Sequence, residues 1–153
     1  MSAFIIITLD SIVDNDIVTL KNRLLSLAND AGIGIFFERF IEPFESVLNY
    51  KCSFSITDSS INENCEDLVK PWWYSDSSVK LYYHNMRIIK RIIRVCLMYT
   101  KHLELWIGTS GDLISDFDSY HITVDGFVLS ISYQYKKYSQ LPPPPSIHFI
   151  ISS

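Results

Sequence analysis

The stretch SVKLYYHNMRIIKRIIRVCLMYTK, residues 78–101, decides the interpretation of the rest of the chain. It contains neither glycine nor proline, and its apolar residues recur every three or four positions, the spacing of one helical face. That face is wide, because Met86, Ile89 and Ile93 are flanked by further isoleucines. A helix with so broad an apolar face needs a large surface to pack on. We therefore predict a long helix at about 78–101 that lies across a β-sheet.

The opposite face of this predicted helix is basic, and no acidic residue interrupts it. Like charges four positions apart, such as Arg87 and Arg91, destabilise a helix by roughly 0.2–0.5 kcal/mol per pair. Two interpretations stay open: solvent and acids elsewhere in the fold accommodate the charges, or the face binds an anionic partner. The residues that would bind an anion are Lys80, His84, Arg87, Arg91 and Arg94.

Length and composition bound the class of protein. A chain of 153 residues, 48% of them hydrophobic, is large enough for a core, so we predict a single globular domain over residues 1–153. The net charge is −4, although residues 80–101 carry six basic side chains and no acidic one. The rest of the chain is therefore acidic. This balance disfavours a nucleic-acid partner and favours a cationic one.

Cysteine usage and hydropathy predict a cytoplasmic protein. Cys52, Cys65 and Cys96 are odd in number and lack the spacing of metal ligands. The N-terminal run AFIIITLD has no basic region before it, unlike a signal peptide. Charged residues interrupt the only long apolar candidate, residues 78–101, so we expect no membrane partner.

The first half of the chain has the periodicity of several regular elements. Ala3–Leu9 is an apolar, β-branched run that predicts a buried strand, and a helix capped by Asp14 or Asp16 extends to about Ala31. Ile33–Phe44 has phenylalanines at helical spacing and predicts a short helix. Val47–Thr57 alternates apolar and polar residues, which predicts a strand with one face in solvent.

The last third contains the strongest local signal, a predicted β-hairpin. The dipeptide Asp125-Gly126 is typical of a type I′ turn and separates two strand-like segments, Tyr120–Val124 and Phe127–Tyr135. A two-residue loop would pair Ile122 with Leu129 on an apolar face. The remaining predicted strands are Leu103–Ile107 and Ser146–Ser152. Together these elements predict an α+β fold, an antiparallel or mixed sheet with the long basic helix and one or two further helices packed on it.

No motif for catalysis, a cofactor or a metal is present, so we predict a protein that is not an enzyme and holds neither. The four histidines are scattered, without the spacing of zinc ligands, and there is no GxSxG sequence. His102 could pair with Glu104, and His121 with Asp125, but no third group completes either pair. The segment 108–111, GTSG, lacks the lysine of a phosphate-binding loop.

Two acidic segments that carry aromatic residues are the predicted partner-binding surface. One contains Glu63, Glu66, Asp67, Trp72, Trp73 and Tyr74, and the other contains Asp112, Asp116 and Asp118. Aromatic side chains surrounded by charge are common anchors of protein interfaces. The competing interpretation is structural, since tryptophans that follow a helix often cover the core.

A small acidic α+β domain without a catalytic motif resembles the bacterial immunity proteins of contact-dependent inhibition and other polymorphic toxin systems. The resemblance is one of overall character and of the acidic segments NENCEDLVKPWWYSD and GDLISDFD. It implies a cytoplasmic protein that binds a cognate toxin domain, often a basic nuclease, and neutralises it by covering its active site. The alternatives are a small enzyme or a protein that binds an anion or nucleic acid through the basic face of helix 78–101, and a structural protein with only an oligomerisation surface. The sequence predicts no oligomeric state.

Overall fold

A computed structural model describes residues 3–9, 12–37, 52–58, 76–109, 118–137 and 147–153. Within them lie six strands and three α-helices. The strands are β1 (Ala3–Leu9), β2 (Gly34–Phe37), β3 (Cys52–Thr57), β4 (His102–Thr109), β5 (Asp118–Thr123) and β6 (Ile147–Ser152). The helices are α1 (Asp14–Ala31), α2 (Asp76–Cys96) and α3 (Phe127–Lys137), and a short 3₁₀ turn, Val124–Gly126, precedes α3.

The strands form one mixed sheet in the order β2-β3-β1-β4-β6-β5. All neighbouring pairs are antiparallel except β5 and β6, which are parallel. A parallel pair cannot be joined by a tight turn, so the chain has to cross over between β5 and β6. Helix α3 lies in that connection. The α+β class with a mixed sheet is thus confirmed, as are the predicted strands at β1, β4 and β6 and the first helix. The predicted cap of that helix is wrong, because Val13 is the N-cap residue and Asp14 and Asp16 lie within the first turn.

The long helix that was predicted from residues 78–101 is α2, which lies between α1 and α3. Ile89, Ile93 and Cys96 on its apolar face are fully buried in the core. The helix ends at Cys96, earlier than predicted, because residues 97–99 form a turn that leads into β4. No helix among the described residues is both long and apolar enough to cross a membrane.

The predicted hairpin at Asp125-Gly126 is wrong, because the chain turns into α3 there. The predicted register would have buried Leu129, yet Leu129 is 77% exposed. Phe127 and Ile131 are fully buried instead, and their separation of four residues is helical. Burial of Phe127 and Ile131 against the sheet stabilises the helix by more than the Asp125-Gly126 dipeptide stabilises a turn. The chain also has to cross over to β6, which is parallel to β5, and a hairpin is incompatible with that crossover.

The short helix predicted at Ile33–Phe44 is also wrong over its described part, where Gly34–Phe37 is strand β2. Gly32 caps the end of α1 with a φ of 73°, so only Gly32 and Ile33 lie between the helix and this strand. Phe37 packs on Phe54 of the neighbouring β3, with ring centroids 5.5 Å apart. The pairing with β3 therefore prevails over the helical spacing of the phenylalanines. Residues 38–44 lie outside the described part of the chain.

The strand predicted at Val47–Thr57 is confirmed over Cys52–Thr57, and residues 47–51 lie outside the described part. Its predicted solvent-exposed face is wrong, since Ser53 and Thr57 on that face are buried. The same side of the sheet, opposite the helices, also buries Ile6 of β1. Polar side chains on this second face are therefore partly shielded from water.

Candidate functional site

Three polar side chains from different strands meet on the second face of the sheet, opposite the helices. Glu104 belongs to β4, His148 to β6 and Ser119 to β5. His148 lies opposite Trp106 of β4 on one side and opposite Ser119 on the other. The residues that alternate with them along these strands belong to the core under the helices, so these side chains share the other face.

Two hydrogen bonds join these side chains in a line, which we call the Ser119–His148–Glu104 cluster. Nε2 of His148 lies 2.9 Å from Oε1 of Glu104, and Nδ1 of His148 lies 2.9 Å from Oγ of Ser119. An ionised carboxylate only accepts hydrogen bonds, so Nε2 is the ring nitrogen that carries the proton. In the neutral imidazole, Nδ1 then holds a lone pair and accepts the hydroxyl proton of Ser119.

The imidazole ring of His148 is held in place from a third direction. The indole of Trp106 stacks on it, with ring centroids 3.8 Å apart and an angle of 12° between the planes. The side chain of His148 is only 8% exposed and that of Glu104 is 20% exposed. Ser119, in contrast, is exposed. The cluster thus leads from a shielded carboxylate through a fixed histidine to a serine at the surface.

A groove of about 460 Å³ lies beside the same edge of the sheet. Its lining residues are Ser119, Tyr120, His121, Ile122 and Phe149 from the sheet and Leu129, Ser130 and Tyr133 from α3. Leu129 is 77% exposed and Tyr133 is 64% exposed. Strand β5 is the outermost strand on this side, and no described strand pairs with its outer edge. Apolar surface therefore lies next to a sheet edge, and we call this region the β5–α3 surface.

The basic face of α2 is directed to solvent. His84, Arg87, Arg91 and Arg94 are all exposed on it, while the side chain of Lys80 lies outside the described ones. Nη2 of Arg94 lies 2.6 Å from Oδ1 of Asp125, and these side chains are 56% and 79% exposed. An exposed ion pair of this kind contributes only roughly 0.2–1 kcal/mol to stability. Among the described residues, this face is thus solvated and carries one ion pair.

Of the predicted acidic binding segments, only Asp118 falls within the described residues, where it is the first residue of β5. Asp118 lies opposite Ile147 in the sheet and directly precedes Ser119. The other residues of the predicted surface lie outside the described part of the chain: Glu63, Glu66, Asp67, Trp72, Trp73, Tyr74, Asp112 and Asp116.

No sequence pattern predicts the Ser119–His148–Glu104 cluster as a group. The sequence suggested His102 as a partner for Glu104, whereas the bonded histidine, His148, is 44 residues away. Alternation in the predicted strands at residues 103–107 and 146–152 does place Glu104 and His148 on the faces opposite the more apolar ones. The missing information was the strand order, which makes β4, β6 and β5 neighbours.

Metal ligands and reactive thiols do not define a site among the described residues. They contain no group of three or more histidine, cysteine, aspartate or glutamate side chains that could hold a metal ion. The two described cysteines, Cys52 and Cys96, are buried. No protein-family model matches the chain, and no curated protein or solved structure is significantly similar to it. Function must therefore be argued from the cluster, the β5–α3 surface and the basic face of α2.

Proposed function

We propose that this protein is a protein-binding module and that its partner adds a strand to the sheet at β5. The observation that carries the proposal is the exposure of Leu129 and Tyr133 beside this edge strand. The main-chain groups of an edge strand can pair with an added strand, and neighbouring apolar side chains can accommodate the side chains of that strand.

The partner that we propose is a cognate toxin domain, as the resemblance to immunity proteins implies. The acidic segment GDLISDFD, residues 111–118, leads directly into β5, so negative charge in the chain precedes the proposed binding edge. Charge of this sign would accelerate the approach of a cationic domain and would make the association sensitive to salt. Binding over the toxin's active site would neutralise it without any reaction.

The experiment measures the association of this protein with a candidate cationic toxin domain by biolayer interferometry. The double variant Leu129→Ser/Tyr133→Ser should raise Kd about 30-fold, equivalent to about 2 kcal/mol, because two apolar anchors are lost. Its matched control is Val18→Ser/Leu25→Ser, which removes two exposed apolar side chains from α1 and should leave Kd unchanged. Equal loss of affinity in both variants, or in neither, would remove the β5–α3 surface from consideration.

A second candidate function is the binding of an anionic partner by α2. The observation that favours it is that Arg87 and Arg91 are exposed, adjacent and without an acidic partner among the described residues. Arg87→Glu/Arg91→Glu should then abolish retention on a heparin column at low salt. Retention equal to that of the unaltered protein, or no retention of the unaltered protein, would exclude this function.

A further inference from the structure

The geometry points to Ser119 as a nucleophile for acyl transfer, with His148 as its general base and Glu104 as the residue that orients the base. We infer that the protein hydrolyses small carboxylic esters that reach Ser119 from the face of the sheet opposite the helices. This reaction goes beyond the proposed binding function, which needs no chemistry.

The first step of the argument is the protonation pattern within the cluster. The bond between Glu104 and Nε2 of His148 fixes the ring tautomer, so the lone pair of the neutral ring lies on Nδ1. Nδ1 is 2.9 Å from Oγ of Ser119, within the range for direct proton transfer. A nucleophile bonded to a base that is itself oriented by a third group is the general arrangement for covalent catalysis.

The second step is the rigidity of the base. A base works best when its ring is held in one orientation before the reaction begins. The stacked indole of Trp106 fixes the plane of the His148 ring, and the strands on either side fix its backbone. The low exposure of His148 also limits competition from water for its ring nitrogens. These contacts hold the base but leave Ser119 exposed for attack.

The third step is the class of substrate. Ser119 is exposed on the face of the sheet opposite the helices, so its substrate approaches from that side and not along α3. The carbonyl carbon of a carboxylic ester is the electrophile that a serine–histidine pair attacks. A small ester, such as an aryl acetate or butyrate, reaches an exposed hydroxyl without a deep pocket.

The reaction is balanced with water as the second substrate. Oγ of Ser119 attacks the ester carbonyl carbon while its proton moves to Nδ1 of His148. The imidazolium then gives that proton to the departing alkoxide, which leaves as the alcohol, and the acyl group stays on Oγ. Water attacks this acyl ester, its proton passes to Nδ1, and collapse of the intermediate returns the proton to Oγ and releases the carboxylic acid.

The test measures hydrolysis of p-nitrophenyl acetate and p-nitrophenyl butyrate by the purified full chain in the presence of EDTA. Ser119→Ala should lower kcat/KM at least about 100-fold, the lower range for loss of a nucleophile–base pair. Ser26→Ala removes an exposed serine from α1 and is the matched control, which should retain the full rate. Glu104→Gln should lower kcat while KM stays within about twofold, since Glu104 acts only through His148.

A fluorophosphonate probe supplies an independent measurement, because it labels a serine only when the hydroxyl is activated. Mass spectrometry should place the adduct on Ser119 in the unaltered protein and find none in Ser119→Ala. The inference is overturned if hydrolysis by Ser119→Ala equals that of the unaltered protein, or if the probe labels another residue or none. The variants at Leu129 and Tyr133 test partner binding separately, so either proposal can fail without the other.

Discussion

The rings of Phe127 and Phe149 meet edge to face, with centroids 6.0 Å apart and an angle of 79° between their planes. This contact joins the first residue of α3 to the middle of β6, and both side chains are fully buried. The contact holds the first turn of α3 against the sheet.

The first prediction compares two neighbouring apolar residues of α3. Phe127→Ala should destabilise the protein by about 3–5 kcal/mol, because a large buried side chain is lost and a cavity remains. Leu129→Ala should change the free energy of unfolding by less than about 0.5 kcal/mol, since that side chain is 77% exposed. Urea denaturation followed by circular dichroism measures both. Similar losses in the two variants would indicate a strand in which both residues face the core.

The second prediction uses two glycines. Gly126 does not need a positive φ, and an added Cβ would lie 3.7 Å from Oγ1 of Thr123, an ordinary contact distance. Gly126→Ala should therefore leave stability unchanged or raise it by about 0.4–1 kcal/mol. Gly32 has a φ of 73°, so Gly32→Ala should destabilise the protein by about 1 kcal/mol. A type I′ turn would reverse the first result, because Gly126 would then require a positive φ.

The third prediction concerns the Cys96 thiol. Burial raises its pKa well above the ordinary value of 9.0. The folded state therefore holds this proton more tightly than the unfolded state, and its contribution to stability is complete below about pH 9 and declines as pH rises further. Iodoacetamide at pH 8 should modify Cys96 only after denaturation, which peptide mass spectrometry can detect. Rapid modification of the native protein at that pH would contradict the buried, protonated thiol.

The fourth prediction concerns the acidic segment that precedes β5. Reversal of Asp112, Asp116 and Asp118 to lysine should slow association with a cationic toxin domain at least about 10-fold and flatten its salt dependence. Trp73→Ala should act on the dissociation rate instead, with a cost of about 2 kcal/mol if the indole is an anchor. Stopped-flow measurements at several salt concentrations separate the two effects. An unchanged association rate in the triple variant would contradict this role of the acidic segment and would favour the basic face of α2 as the binding surface.

Elements were predictable where the spacing of apolar residues fits only a helix or only a strand. The prediction was ambiguous where the same apolar residues fit both spacings. Helix α2 could be recognised because its buried residues, such as Ile89 and Ile93, recur at one period only. The segment after Gly126 is ambiguous in this way. All three of Phe127, Leu129 and Ile131 have the alternation of a strand, whereas Phe127 and Ile131 alone have the spacing of a helix. Only the parallel pairing of β5 with β6, a contact distant in sequence, decides between them.

The candidate sites were less predictable because they depend on strand order. Glu104, His148 and Ser119 become neighbours only when β6 is inserted between β4 and β5. The exposure of Leu129 and Tyr133 likewise depends on α3 being a helix at the sheet edge. The basic face of α2 was predictable, in contrast, because helical spacing alone places Arg87 and Arg91 on one side.

The most direct test of the proposed binding edge is hydrogen–deuterium exchange of the protein with and without the proposed partner, a cationic toxin domain. The account predicts slower exchange of main-chain amides in β5, residues 118–123, and in the exposed turns of α3, because an added strand pairs with β5. Strand β2, the opposite edge of the sheet, is the internal control and should exchange at the same rate in both samples. Protection of β2 or of the basic face of α2, with β5 unchanged, would contradict the account.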